Sequence, residues 1–211
     1  MQRILIFFFL LMSFGLSAQQ QTDRALQSKA QQLLTGFKGQ VGVYIKNLKT
    51  NRVVAINADT IFPTASIVKV PIMTGVFDKI EKGELRYDGE HVYKDSLLYA
   101  GVDILGSFKS GEKILLKKLV MLMLTTSDNT ASLWLQSLAG TGTQINLIME
   151  KLGLKDTRVN SRTPGRENNR TRYGWGQTTP AEMASLFEQI YRGKVISAKA
   201  SDQMMRCLGR N

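Results

Sequence analysis

Ser66 and Lys69 lie three residues apart at the start of a stretch, Ser66 to Lys82, whose pattern predicts a helix. Residues i and i+3 share a helix face, so the lysine amine can reach the serine hydroxyl. A serine is a weak nucleophile until a nearby base takes its proton, and a lysine desolvated by apolar neighbours has a lowered pKa and can be that base. Such neighbours flank Lys69: Ile67, Val68, Val70 and Ile72. The pair is therefore a candidate for covalent catalysis by a serine.

The S-x-x-K motif alone is weak evidence for that chemistry. The chain contains a second match, Ser110-Gly111-Glu112-Lys113, whose composition is typical of a solvated turn. An isolated S-x-x-K is more often structural than catalytic, so a second motif is needed.

A polar tripeptide, Ser127-Asp128-Asn129, interrupts an apolar region between two predicted helices. One interpretation is structural, because Ser, Asp and Asn are preferred helix-capping residues. The other is functional: a second serine can relay a proton to a leaving group, and an asparagine amide can hold both a lysine and a substrate carbonyl. The tripeptide by itself leaves both interpretations open.

The order of three motifs resembles the class A serine β-lactamases and the related penicillin-binding enzymes. Ser66-x-x-Lys69 is followed about sixty residues later by Ser127-Asp128-Asn129, and then by Thr178-Thr179-Pro180. The resemblance implies that Ser66 is the acylated nucleophile, with its backbone N–H as half of the oxyanion hole, and that Lys69 is its proton partner. It further implies that Ser127 relays the proton to the lactam nitrogen, that Asn129 binds the substrate side chain, and that Asp128 is structural.

Two family features do not match cleanly. The family's glutamate that positions the hydrolytic water lies before the Thr178-Thr179-Pro180 segment. Counting from Thr157-Arg158 without gaps places Thr163 at its position, and the nearest carboxylate is that of Glu167. We expect Glu167 to be the deacylating base, the alternative being a solvated charge. The family's K-[ST]-G motif is absent after Ser127. Its only literal match, Lys109-Ser110-Gly111, overlaps the predicted solvated turn at Ser110-Gly111-Glu112-Lys113.

The pattern along the chain predicts the elements that must position these residues. A surface helix over 19–32 precedes a hairpin of 41–45 and 52–56, and further helices follow over 117–124, 131–138, 143–152 and 180–192. No convincing strand pair follows Asn57. The resemblance implies an α/β (α+β) fold with a helical lobe and an antiparallel sheet, of which we expect only the first two strands here. We accordingly expect a catalytic domain over 19–211, truncated at its C-terminus.

Residues 1–18 have the pattern of a secretory signal peptide, with Arg3 followed by nine apolar residues and then small residues. We therefore expect an exported, periplasmic or secreted protein without a stable membrane anchor. The net charge of +11 fits a solvated basic surface, and the scattered basic residues do not predict nucleic-acid binding. The chain has a single cysteine and a single histidine, His91, and neither a disulfide, a metal site nor another cofactor is predicted.

The function expected from this resemblance is opening of a β-lactam ring through an acyl-Ser66 intermediate, followed by hydrolysis, by a monomer. One alternative is a D,D-peptidase-type penicillin-binding enzyme acting on peptidoglycan stem peptides. The other is an inactive, truncated relative, which the absent K-[ST]-G motif and the lone hairpin favour.

Overall fold

The computed structural model describes residues 20–101 and 103–209, so the predicted signal peptide lies outside the described residues. The helices are α1 (Arg24–Leu34), α2 (Lys69–Glu81), α3 (Leu116–Thr125), α4 (Asn129–Leu138), α5 (Thr141–Lys151), α6 (Glu167–Tyr173), α7 (Pro180–Tyr191) and α8 (Ala198–Leu208). The strands are β1 (Gln21–Thr22), β2 (Val43–Lys46), β3 (Arg52–Ile56), β4 (Phe62–Pro63), β5 (Glu90–Val92), β6 (Lys113–Leu115), β7 (Arg158–Val159) and β8 (Gly176–Thr178).

The predicted hairpin forms, and it belongs to a sheet of order β1-β3-β2. The strands β2 and β3 are antiparallel, with Val43 opposite Ile56, whereas β1 is parallel to β3 and pairs Gln21 with Arg52. The mixed α/β class is confirmed, but the expectation of only two strands is wrong. Two residues of β1 give no periodic signal, so the alternation of the sequence could not predict that strand.

Five further strands follow Asn57, against expectation, and each has two or three residues. They form a three-stranded sheet of order β4-β8-β7 and a two-stranded sheet of β5 and β6. Strands this short are set by tertiary contacts rather than by residue propensity. The first of these small sheets matters for function, because β4 leads directly into Ser66.

Helix α2 lies at the centre of the hydrophobic core, and every residue from Lys69 to Phe77 is buried. At Gly75 a methyl group would meet Ile145 Cγ1 of α5 at 2.7 Å and Ala139 Cβ at 3.0 Å, so the close approach of the two helices requires glycine. Helices α4, α5 and α8 also pack on α2. This packing fixes the start of α2, where Lys69 lies.

Helix α1 and the sheet of β1, β2 and β3 are much less buried than the helical core. Helix α1 has no buried residue, while Val53 and Val54 of β3 are buried. A partly buried ion pair at 2.7 Å joins Lys46 of β2 to Glu188 of α7 and connects this sheet to the helical lobe. In residues 20–101 and 103–209, no helix has the length and apolar character needed to cross a membrane.

Candidate active site

Ser66 lies on a short 3₁₀ turn, Ala65–Val68, that runs directly into α2 at Lys69. The predicted α helix thus begins three residues later than Ser66. In a 3₁₀ turn residues i and i+3 eclipse each other, so Ser66 and Lys69 still share a face. Ala65 precedes the serine with a φ of 46°, in the left-handed region that non-glycine residues rarely adopt, which is typical of functional sites.

The amine of Lys69 is held by the second motif. Lys69 is 3% exposed, and its Nζ donates to Ser127 Oγ at 2.6 Å, to the Ser127 carbonyl at 2.5 Å and to Asn129 Oδ1 at 3.2 Å. Among the described residues the Ser66 hydroxyl is not one of its hydrogen-bond partners. The predicted direct bond between this lysine and the nucleophile is therefore replaced by a bond through Ser127.

Ser127 connects the two motifs. Its hydroxyl donates to Ser66 Oγ at 3.0 Å, which completes a chain of hydrogen bonds from Ser66 through Ser127 to Lys69. Ser127 has a φ of 58° in the left-handed region, held between the end of α3 and the start of α4. Because a hydroxyl both donates and accepts, the chain can move a proton in either direction.

Two carboxylates fix the tripeptide in place. Asp128 caps α4 by accepting from the backbone N–H of Ala131 at 2.7 Å, and it also accepts from Leu105 N–H at 3.0 Å. The structural role predicted for Asp128 fits this geometry. Asp103 Oδ2 accepts from Asn129 N–H at 3.1 Å, Thr130 N–H at 2.9 Å and the Thr130 hydroxyl at 3.1 Å. Asp103 was not predicted, because its loop carries no periodic or motif signal.

Burial lowers the pKa of Lys69 from its usual 10.5, and the negative charges of Asp103 and Asp128 partly oppose that shift by raising the pKa. Desolvation penalises the charged ammonium form, whereas nearby carboxylates favour it. The net lowering increases the fraction of neutral amine at a given pH. A neutral amine can accept a proton, so the arrangement supports the role of base.

A cleft opens beside Ser66, Lys69 and Asn129. The end of α6 and the residues after it, Arg172, Tyr173, Gly174 and Trp175, form another part of its wall. Tyr99 also lines the cleft and contacts Trp175 edge-on, with ring centroids 5.2 Å apart. Neither Tyr99 nor Arg172 was predicted as a site residue, since no sequence pattern connects their loops to Ser66.

The structure does not bring Glu167 to the cleft. Glu167 is exposed at the start of α6, where its carboxylate accepts from Gly165 N–H at 3.2 Å, and it does not line the cleft. Thr163 is buried, donates to the Ser161 carbonyl at 2.9 Å and fills the space beside Gly142 of α5. The chain then turns outward before α6, which directs Glu167 to solvent. Glu167 therefore has the solvated position of the alternative interpretation, and its role as the deacylating base stays a prediction.

The remaining candidate residues lie elsewhere. His91 is on β5, opposite Ile114 of β6, and burial lowers its pKa. Ser110 and Lys113 are exposed, in agreement with the prediction of a solvated turn. Within the described ranges no cluster of three or more His, Cys, Asp or Glu side chains is arranged to hold a metal ion.

Known proteins share this arrangement of elements. The model of the β-lactamase enzyme family matches residues 25–211. β-Lactamase VEB-1 of Pseudomonas aeruginosa is 26% identical over 188 residues, which cover 86% of this chain, and this chain spans only 62% of that relative's length.

Two solved structures are similar to the chain along most of its length. A PBP-A mutant, described as an acyl-enzyme complex with penicillin G, has a TM-score of 0.78 at 25% identity, covering 91% of this chain and 72% of its own. A β-lactamase from Sphaerobacter thermophilus has a TM-score of 0.77 at 25% identity, covering 90% of this chain and 71% of its own. These likenesses agree with the fold, and because the family match covers residues 25–211, the chain belongs to the β-lactamase enzyme family.

Proposed function

We propose that the protein opens the β-lactam ring by forming an acyl ester on Ser66. The observation that carries this proposal is the hydrogen-bonded chain from Ser66 to Ser127 at 3.0 Å and from Ser127 to Lys69 at 2.6 Å. A serine hydroxyl needs a base to become a nucleophile, and this chain connects Ser66 to a buried amine. The family relationship and the similarity to an acyl-enzyme complex with penicillin G support the same chemistry.

In the proposed acylation, Ser66 Oγ attacks the lactam carbonyl carbon. Its proton passes to Ser127 Oγ, and the proton of Ser127 passes to the neutral Lys69 amine. The tetrahedral intermediate then collapses, the carbon–nitrogen bond of the ring breaks, and the leaving nitrogen receives a proton from Lys69 through Ser127. The backbone N–H of Ser66 contributes to stabilising the oxyanion.

Asn129 fits the role of substrate ligand in this scheme. Its Oδ1 accepts from Lys69, which leaves the Nδ2 group to donate to a carbonyl of the substrate side chain. Asp103 and Asp128 act as positioning residues, because they fix the backbone of Asn129 and the start of α4.

Hydrolysis of the acyl ester is a separate step and needs an activated water. Among the described residues that line the cleft there is no carboxylate, and Glu167 lies outside it. This observation favours a second candidate function, a penicillin-binding D,D-peptidase type of enzyme. Such an enzyme would take acyl-D-Ala-D-Ala ends of peptidoglycan stem peptides and form a long-lived adduct with β-lactams.

The proposed function is tested by following one sample in two ways. The purified protein is mixed with a chromogenic cephalosporin, and intact mass spectrometry follows the adduct while absorbance follows ring opening. We expect an adduct within the time course, and its absence together with no colour change would contradict the proposal. More than one ring opened per protein molecule, read from the absorbance, indicates hydrolysis. One ring opened per protein molecule, with a persistent adduct and cleavage of a D-Ala-D-Ala peptide, indicates the second candidate.

A further inference from the structure

Arg172 places a positive charge in the wall of the cleft that Ser66 also lines. It lies in the last turn of α6 and lines the cleft together with Ser66, Lys69 and Asn129. Its guanidinium carbon is 5.1 Å from the centroid of the Tyr173 ring, a cation–π contact that restrains the side chain. Within residues 20–101 and 103–209, the contacts show no carboxylate paired with Arg172.

The charges that line the cleft are unbalanced. The Arg172 guanidinium lines it, and no carboxylate of the described residues does. The Lys69 amine is already bound to Ser127 and Asn129, whereas Arg172 is exposed. A guanidinium presents several donors in a planar fork that matches a carboxylate. The part of the wall formed by Arg172 can therefore bind an anionic group.

The proposed acylation determines which part of a substrate meets this wall. The leaving nitrogen must face Ser127, which donates to Ser66 and is not among the residues that line the cleft. The substituent on the other side of the attacked carbonyl therefore extends into the cleft, toward Asn129 and the segment from Arg172 to Trp175. The rings of Tyr99 and Trp175 offer apolar surface for the same substituent.

We propose that Arg172 determines specificity by binding a carboxylate on the acyl side chain of the substrate. The preferred substrates are then acyl donors with an anionic side chain, whether β-lactams or stem peptides that carry a side carboxylate. This inference rests on the proposed function, since it requires acylation of Ser66. It assigns to Arg172 a contact with the side chain rather than a part in bond breaking.

The test compares two penicillins that differ by one carboxylate. Benzylpenicillin and carbenicillin share the phenylacetyl side chain, and carbenicillin adds a carboxylate on its α-carbon. The acylation rate constant of each is measured by intact mass, and their ratio is compared between the parent protein and Arg172→Gln. We expect the carbenicillin to benzylpenicillin ratio to fall about ten-fold in the variant, as for the loss of a charged hydrogen bond.

Arg170→Gln is the matched control, because Arg170 is an exposed arginine on the same helix that does not line the cleft. This control leaves the ratio unchanged, and Arg172→Lys, which keeps the charge without the planar fork, gives a smaller fall than Arg172→Gln. An equal ratio in Arg172→Gln and the parent overturns this inference and leaves the proposed function standing. Acylation of the parent by neither penicillin overturns both.

Discussion

At the level of single residues, the buried amine of Lys69 is central to the site. The side chain is 3% exposed, so its charged form loses hydration and its pKa falls below the usual 10.5. Asp103 and Asp128 act in the opposite direction. The same two carboxylates also hold the backbone around Asn129, so electrostatics and positioning at this site are coupled.

The pH dependence of acylation follows from that balance. Acylation needs the neutral amine, so its rate rises with pH through the pKa of Lys69, and the rising limb lies below 10.5. Asp103→Asn removes a negative charge that raises this pKa and keeps an amide oxygen as acceptor, so we expect the limb to move to lower pH. Acylation rates measured between about pH 5 and about pH 10 would show the shift.

The isosteric change Asn168→Asp is a suitable control, since Asn168 is exposed on α6 and does not line the cleft. A rising limb that stays in place in Asp103→Asn, or moves to higher pH, would contradict the assignment of Lys69 as the base.

The sequence predicted the residues whose geometry is local. Ser66 and Lys69 share a face because they are three residues apart. Ser127 and Asn129 belong to a polar motif that lies between two helices. Asp103 depends on a loop that reaches the start of α4 from 26 residues away, a contact that no periodicity reports. Glu167 could not be placed from the sequence because its position depends on where the chain turns away from α5 after Thr163.

At the level of elements, the segment between β7 and β8 forms the wall of the cleft and is tied down at its ends. Arg166 donates to Asn160 Oδ1 at 2.9 Å and to Gln177 Oε1 at 2.7 Å, which joins the start and end of the segment. Glu182 of α7 accepts from the backbone N–H groups of Asp156 and Thr157 at 2.9 Å and 2.6 Å. The Arg166 bonds close the segment, and the Glu182 bonds hold the residues just before β7 against α7.

Glu182 shows a limit of predicting from helix caps. Thr179, Pro180 and Glu182 predict a capping box, and Thr179 does accept from the Glu182 N–H at 3.1 Å. The Glu182 carboxylate, however, binds Asp156 and Thr157 instead of the backbone of the cap residue. The cap was predictable because it is local, whereas the partner of the carboxylate is supplied by a loop that tertiary folding brings to it.

We expect Glu182→Gln to destabilise the protein by about 1–3 kcal/mol, because an amide cannot serve all the donors that the carboxylate serves and a buried N–H is left with a weaker partner. Urea unfolding followed by circular dichroism measures the change. Glu81→Gln, at the exposed end of α2, is the control and should change stability by less than about 0.5 kcal/mol. Equal effects of the two substitutions would show that Glu182 does not stabilise the chain before β7.

At the level of the whole molecule, burial is uneven. The core surrounds α2, whose residues from Lys69 to Phe77 are all buried, whereas α1 on the other side of the first sheet has none. Local opening free energies follow the density of buried apolar contacts. The site is anchored on the well-packed side, since Lys69 begins α2 and Asn129 begins α4.

Amide hydrogen exchange should report this difference. We expect the amides of α1 to exchange much faster than those of α2 and α4 in the same sample, because few buried contacts oppose opening of α1. Mass-resolved exchange on proteolytic fragments measures all three helices together, so α4 serves as an internal standard. Equal protection of the α1 and α2 amides against exchange would contradict the expectation that α1 opens more easily than α2.

We expect Ser66, and no other serine, to carry the acyl group. The chain contains its own control, because Ser110 and Lys113 repeat the S-x-x-K spacing at exposed positions. The decisive measurement is intact mass after incubation with benzylpenicillin, followed by fragment mapping, for the parent, Ser66→Ala and Ser110→Ala. We expect one adduct at Ser66 in the parent and in Ser110→Ala, and none in Ser66→Ala. An adduct that persists in Ser66→Ala, or none in the parent, would contradict this expectation.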